Sequence, residues 1–496
     1  MSNTISYLTG SGSRVKHEGK EPAVTSMRHS SRSKMAVSVL FTLSALAACV
    51  NASAAASEPT SPQDLIARGK YIATAADCMA CHTLQKGGKP FAGGYGIESP
   101  LGTIYSTNIT PSTVAGIGNY SEAEFSNAVR QGVRRDGSHL YPAMPYTSYA
   151  KLSDSDMSAL YAYFMKGVAP VDQPAAKKTE LPFPFNQRTS MAVWNGLFLD
   201  KKPYEIDSSK SNEWNRGAYL ANALEHCGAC HTPRNPMMAE NNAAYLSGAS
   251  LGTWYAPNIT SDPTSGIGGW SDEELFKYLK TGVVNGKAQA AGPMAEAIEN
   301  SLQYLTNADI KALVTYLKAT PAIATPGIDK PRYAHGNAAP SELSMRGDKT
   351  ADKGWQLFSG SCGACHQTEG TGTANHDYPS LFHNTATGAE RPDNLISAIL
   401  FGLSRTVDGK TQFMPGFGPQ ASYTERLSDE EIAAISNYVL TQYGDPSVKV
   451  SATDVATIRL GGPTPAIVKL MPVGLGALGV LVVLLILWIV ARRRKA

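Results

Sequence analysis

Three times along its length the chain sets two cysteines three residues apart with a histidine directly behind them. They are Cys78-Met-Ala-Cys81-His82, Cys227-Gly-Ala-Cys230-His231 and Cys362-Gly-Ala-Cys365-His366. No other feature constrains the fold as much. A single turn with this spacing presents two sulfurs to the two vinyl groups of one porphyrin and turns the histidine toward its iron, which is the attachment signature of c-type haem. A zinc site would need further cysteine or histidine partners at compatible spacing, and none of the three segments offers them. A thioredoxin-type dithiol belongs in a βαβ pattern, which the sequence lacks. The expectation is three covalently bound haem c groups, held by Cys78, Cys81, Cys227, Cys230, Cys362 and Cys365, with His82, His231 and His366 as iron ligands.

The flanking sequence repeats as well. Gly102-Thr-Ile-Tyr105-Ser-Thr-Asn108-Ile-Thr110 returns 150 residues later as Gly252-Thr-Trp-Tyr255-Ala-Pro-Asn258-Ile-Thr260, and Gly116-Ile-Gly118 as Gly266-Ile-Gly268. The first two modules are copies of one design, and the third lacks this loop and is shorter. All three agree on helices. Ser121-x-x-Glu124 and Ser271-x-x-Glu274 read as capping boxes, followed by matching core positions at Phe125, Leu275 and Leu395 and by Gly132, Gly282 and Gly402. A final helix opens at Ser153, Thr306 and Ser428, because Met157/Leu160/Tyr163, Ile310/Leu313/Tyr316 and Ile432/Ile435/Tyr438 fall on one helical face. The three tyrosines read as packing against the helix before each CxxCH, which carries Gly69/Tyr71, Gly217/Tyr219 and Gly354/Trp355. At about 150 residues per domain the length suits about three domains. The sequence predicts an all-α fold of three tandem class I-type cytochrome c domains, at 57–174, 205–322 and 346–446. The joins, 170–203 and 320–340, are rich in proline and lysine.

The second axial ligand decides between electron transfer and chemistry at iron. Methionine opposite histidine raises the potential and saturates the metal. One methionine per module occupies an equivalent slot in a Pro- or Gly-flanked loop before the final helix: Met144, Met294 and Met414, lying 62, 63 and 48 residues beyond His82, His231 and His366. Met79 lies inside a CxxCH and cannot swing to the far face, and Met237 and Met238 follow His231 too closely. His139 competes in module one, and His376 or His383 in module three, against the plainer reading of loop or surface histidines. Most other methionines are apolar filler. Three saturated irons would leave none open to a small substrate.

The chain ends describe a compartment. The apolar stretch 35–48 follows Arg28, Arg32 and Lys34 and precedes the small residues 52–56, so 1–56 reads as a signal peptide with an N-terminal extension, normal proportions starting at Met27. Cys49 sits in a lipobox-like Leu-Ala-Ala-Cys, but removal with the signal is favoured because a second anchor exists. That anchor is 471–491, an uncharged stretch of 21 residues spanning about 31 Å as a helix. The basic run Arg492–Lys495 behind it places the C-terminus in the cytoplasm and the haem domains on the periplasmic side. The match of 474–479 to GxGxxG falls inside this span, with no strand before it, and is spurious. The net charge of +3 contains +4 from residues 1–56 and +4 from the C-terminal run, so the body carries −5. That disfavours a nucleic-acid partner.

Over nearly its whole mature length the chain resembles the triheme cytochrome c subunits of bacterial membrane-bound, quinone-reducing dehydrogenases of alcohols, gluconate, fructose and other polyols. Beyond the CxxCH motifs the resemblance rests on 102–110, on Leu140-Tyr-Pro-Ala-Met144-Pro145-Tyr146 and on Gly292-Pro293-Met294. It implies a large periplasmic dehydrogenase subunit, carrying FAD or PQQ, that passes electrons through this chain to ubiquinone, and it leaves room for a small chaperone-like subunit. It also supports Met144, Met294 and Met414 as ligands. No flavin fingerprint in a βαβ context and no propeller repeat occurs here, so hydride removal belongs to the partner. Two rival functions stand beside this one: delivery of electrons to a terminal oxidase or reductase, and a haem enzyme with an open iron.

Overall fold

The computed structural model describes residues 61–84, 87–99, 101–175, 177–340 and 352–494. The expected signal segment, Cys49 included, lies outside them. Module one runs α1 (Pro62–Ala75), the CxxCH turn α2 (Cys78–His82), α3 (Glu122–Gln131), the short α4 (Tyr146–Tyr149) and α5 (Asp154–Lys166). Helix α6 (Ser190–Phe198) lies in the join. Module two repeats the order as α7 (Asn212–Tyr219), α8 (Cys227–His231), α9 (Asp272–Thr281), α10 (Gly292–Asn300) and α11 (Asn307–Lys318). Module three has α12 (Lys353–Ser361), α13 (Gly363–His366), α14 (Asp393–Phe401), α15 (Asp429–Tyr443) and α16 (Ala452–Arg459).

Local chemistry sets these boundaries. Ser121, Ser271 and Ser428 each accept from the backbone N–H three residues on while the glutamate there bonds back, a full capping box. Gly132 and Gly282 end α3 and α9 in the left-handed region, at φ 63° and 74°. In every module the helix before CxxCH crosses the final helix at a glycine. A Cβ on Gly69 or Gly217 would stand 1.9 Å from the carbonyl oxygen of Ala159 or Ala312, and one on Gly354 2.4 Å from that of Ala434. Only a bare Cα lets the backbones approach this closely.

Gly69 lies nine residues before Cys78, and Gly217 ten before Cys227. The extra residue is absorbed as a π-helical turn, Leu220–Leu224, so both crossing and motif keep their places.

The all-α expectation holds for the core but not for the loops. Four two-stranded antiparallel ladders occur among the described residues: β1 (Gly96–Ser99) with β2 (Gly102–Tyr105), β3 (Ala249–Ser250) with β4 (Tyr255–Ala256), β5 (Val283–Val284) with β6 (Ala288–Gln289), and β7 (Leu403–Val407) with β8 (Lys410–Met414). Turn chemistry makes the last: Asp408 and Gly409 both take positive φ, 49° and 73°, as a tight two-residue hairpin requires.

The first two modules share one continuous apolar core, running from Ile72 and Phe125 through Leu160 to Leu220, Leu275 and Leu317. The third has its own, around Phe358, Leu395, Ile432 and Tyr443, and it extends through Val455 and Ile458 of α16. The joins are structured too. Trp194 and Asn195 of α6 are buried against Tyr146, whose hydroxyl donates to Asn195 Oδ1 at 2.8 Å. Beyond module three, α17 (Ala466–Arg493) reaches a mean hydropathy of 2.9 and is long and apolar enough to cross a membrane. It contains the glycines of the spurious nucleotide motif.

Candidate functional site

Each CxxCH histidine is oriented from behind. Nδ1 of His82, His231 and His366 meets the backbone carbonyl oxygen of Thr107 at 2.7 Å, Pro257 at 2.6 Å and Pro379 at 3.1 Å. A carbonyl only accepts, so Nδ1 carries the proton and Nε2 keeps the free lone pair, the arrangement that metal-binding histidines adopt. Burial lowers the pKa of all three, His231 to about 4, and the carbonyl bond only partly opposes it. The imidazoles are neutral near pH 7, as ligation requires.

The carbonyls belong to elements the sequence had flagged without saying why. Thr107 and Pro257 sit in the repeated loop. Asn108 folds that loop by accepting from the amide and hydroxyl of Thr110 and donating to the carbonyls of Val171 and Gln173. Asn258 does the same with Thr260 and the Ile323 carbonyl. The repeat of 102–110 at 252–260 was the signal for these residues, and the third module offers none, because Pro379 follows its histidine by only 13 positions.

All six motif cysteines are unpaired. Burial pushes the thiols of Cys78, Cys81 and Cys362 up to about 12 and that of Cys227 higher still. In modules two and three both cysteine pairs, His231, His366, Met294 and Met414 line one continuous cavity of about 390 Å³. In module one Cys78 and Met144 both pack against the shared core. The walls combine paired thiols and a histidine with free Nε2, a methionine, and apolar and aromatic side chains such as Trp254, Trp270 and Leu395. That donor set fits haem c.

The three methionines reach their places by different means. Met144 sits in a turn, its amide donating to the Tyr141 carbonyl at 3.2 Å. Met294 lies in the first turn of α10 behind Pro293, and Met414 ends β8, so neither occupies the free loop the sequence suggested. The rival histidines stand elsewhere. His139 pairs with Val133 in a bridge and buries Nδ1 without a partner, and the repeat has Gln289 in its place. His376 and His383 are absent from the residues lining the cavity. Met79 and Met237 are exposed.

Sequence reasoning also missed what joins modules one and two. Tyr71 donates to Asp309 at 2.6 Å, and Arg216 holds the same carboxylate with two bonds of 2.7 Å. Reciprocally, Tyr219 donates to Asp156 at 2.6 Å, and Arg68 donates to it at 2.8 Å. Beside this interface lie buried acids. Burial raises Asp77 well above the ordinary carboxylate range, with Glu225 and Glu296 adding to the effect, and raises Glu225 to about 8 against the Ser301 hydrogen bond.

A cytochrome c family profile matches residues 66–167 and 351–442. The chain is 48% identical over 471 residues to the fructose dehydrogenase cytochrome subunit of Gluconobacter japonicus, covering 91% of this chain and 96% of that one. It is 40% identical over 408 residues to the gluconate 2-dehydrogenase cytochrome c subunit of Pantoea cypripedii, with 80% and 89% covered. It is 37% identical over 417 residues to the cytochrome c subunit of the quinone alcohol dehydrogenase of Komagataeibacter europaeus, with 82% and 86% covered. The chain belongs to the family of dehydrogenase cytochrome c subunits, and its prosthetic group is covalently bound haem c.

Proposed function

We propose that this member of the family takes electrons singly from a large periplasmic dehydrogenase subunit, carrying FAD or PQQ, and delivers them to membrane ubiquinone, with substrate oxidation confined to the partner. The reading comprises three cytochrome c domains, at 57–174, 205–322 and 346–446, each holding one haem c. The cysteine pairs are Cys78/Cys81, Cys227/Cys230 and Cys362/Cys365, and the axial pairs His82/Met144, His231/Met294 and His366/Met414. The single observation that carries it is the threefold recurrence of a CxxCH histidine whose Nδ1 is committed to a backbone carbonyl.

Haem bound in such a site exchanges single electrons. Every other task belongs to the chain. Burial keeps the histidines neutral, a backbone carbonyl fixes the rotation of each, and a methionine in each module would leave no iron open to small molecules. The second and third sites open into one cavity, an arrangement that suits electron movement within one subunit. We read α17 as a membrane span with the basic Arg492–Lys495 on the cytoplasmic side, which leaves the modules periplasmic and near the quinone pool. A small chaperone-like subunit would complete the complex.

The test is a spectrum of the complex solubilised in mild detergent with its partners retained. Ethanol, gluconate, fructose and sorbitol are added in turn, followed by a soluble ubiquinone analogue. Reduction of the c-haem band by one substrate and reoxidation by the quinone are expected. Reduction by quinol with no response to any substrate would reverse the direction of flow and overturn the reading.

A further inference from the structure

Arg405 is the largest fully buried side chain of the described residues, at 1% exposure. It leaves the β7–β8 hairpin of module three and enters module two, where its guanidinium donates to the Ala290 carbonyl at 2.5 Å and to Gln289 Oε1 at 3.4 Å; within its own hairpin it donates to Gln412 Oε1. The fit leaves no slack on the opposite side, because a Cβ on Gly282 would stand 2.8 Å from the guanidinium carbon. All three acceptors are neutral. Glu299 and Tyr278 act on the guanidinium through space, but neither bonds to it. A buried cation held only by neutral dipoles is costly to keep, and such a cost signals a use.

Its place indicates the use. Ala290 lies four residues before Met294, and Gln412 two before Met414. Gln289, Gln412 and Tyr278 all line the cavity that holds His231 and His366. The guanidinium therefore ties the two methionine-bearing segments to each other and sets a fixed positive charge behind both. The hairpin is anchored a second time by Gln303, which donates to the Thr406 carbonyl and accepts from the Asp408 amide. In module one Arg188 donates to the His139 carbonyl at 2.9 Å, one residue before the position matching Ala290; it is only half-buried and lies over the Tyr141 ring, where water screens it.

We propose that Arg405 is a positioning residue shared by the second and third sites, whose buried charge raises the reduction potential of both relative to the first. A nearby cation favours the state that has gained an electron, and in a water-poor interior its field is weakly screened. This inference rests on Met294 and Met414 being iron ligands.

The test compares the whole detergent-solubilised complex, wild-type against Arg405→Gln and Arg405→Lys, by spectroelectrochemical titration of the c-haem band, with covalent haem content and the weak red band of methionine-ligated ferric haem measured on the same samples. Arg405→Gln should lower two of the three midpoint potentials and leave one in place, while Arg405→Lys, which keeps the charge but loses the fork, should hold both near wild-type. Unchanged potentials in Arg405→Gln with full haem content would overturn the proposal, as would a drop in Arg405→Lys as large as in Arg405→Gln. If Arg405→Gln does not assemble, Arg405→Lys decides alone: retained potentials support the assignment and lowered ones overturn it. Failure of the ligand assignment would show separately, as a missing methionine band in the wild-type protein.

Discussion

The third position of the final helix separates the first two modules from the last. In module three it is Glu431, which bonds back to the Ser428 amide at 3.0 Å and closes a capping box within its own helix. In modules one and two it is Asp156 and Asp309, one methylene shorter, and each carboxylate instead receives a tyrosine from the other module and an arginine from its own. The same helical slot stabilises a local terminus in one case and a tertiary pairing in the other. The first two modules thus form a reciprocal pair over one core, and the third stands on its own core. Besides the buried Arg405, the third meets the second through polar bonds onto half-buried backbone: Asn394 exchanges two hydrogen bonds of 2.9 Å with the Tyr255 main chain, and Ser397 donates to the Thr253 carbonyl. In module one the equivalent backbone, at Tyr105, is met by Thr179 of the join. A repeat exposes the same edge twice, and different parts of the chain cover it.

The largest effect is expected at the helix crossings. A branched side chain 1.9 Å from a backbone carbonyl must part the two helices, at a cost well above the about 1–3 kcal/mol of ordinary overpacking. Because the core is shared, Gly217→Val should disable modules one and two together, leaving one haem per chain by pyridine haemochrome assay. Gly354→Val should leave two. Equal losses from both variants would mean that the three modules fold independently.

The next effect is a pH dependence confined to the pair. Burial raises Glu225 from 4.5 to about 8, so the folded pair prefers the protonated acid. Stability from this group is full below the unfolded value and declines as pH rises through the window from about 4.5 to about 8, by up to about 5 kcal/mol. Urea unfolding at pH 5.5 and pH 8 should show the decline, and Glu225→Gln should lessen it for modules one and two, where Asp77 still titrates, while module three keeps its profile.

Asp309→Asn should cost about 1–3 kcal/mol, discounted because the Arg216 side chain is 36% exposed. Burial works to raise this acid, but the Arg216 bonds and charge, with Tyr71, outweigh it and leave it below the usual range. Its contribution is therefore complete above the unfolded carboxylate value and lost as pH falls through the lower folded one, opposite in sense to Glu225. Glu431→Gln in module three should cost only about 0.5–1 kcal/mol, the worth of a cap. Smallest of all, Arg459→Ala removes a bond of 2.7 Å to Asp429 at the partly exposed contact between α16 and α15, and should lower the unfolding free energy of module three by about 0.2–1 kcal/mol in a urea titration.

Much of this was legible because it is local. CxxCH, the capping boxes, the helical apolar faces and the tyrosine opposite each glycine depend on spacings of three to ten residues, which sequence states directly. The hairpin of module three was also written, in Asp408-Gly409, but its turn signal was eclipsed by the helical pattern around it. The one-residue difference between Gly69–Cys78 and Gly217–Cys227 encoded the π turn in the same way. What was illegible depends on residues far apart in sequence: Tyr71 with Asp309, Arg405 with Ala290, Asn394 with Tyr255. A tyrosine at helical spacing reads as packing, and a lone arginine reads as surface. Only the way the modules face one another turns them into a bridge and a buried charge.

Whether each CxxCH histidine shares its iron with a methionine is read by magnetic circular dichroism of the oxidised full-length protein. The intensity of the methionine-to-ferric-haem band, normalised to covalent haem, should correspond to three ligated sites in the wild type and to two in each of Met144→Ala, Met294→Ala and Met414→Ala. A wild-type intensity worth fewer than three, or any one of these variants losing none of it, would contradict the assignment.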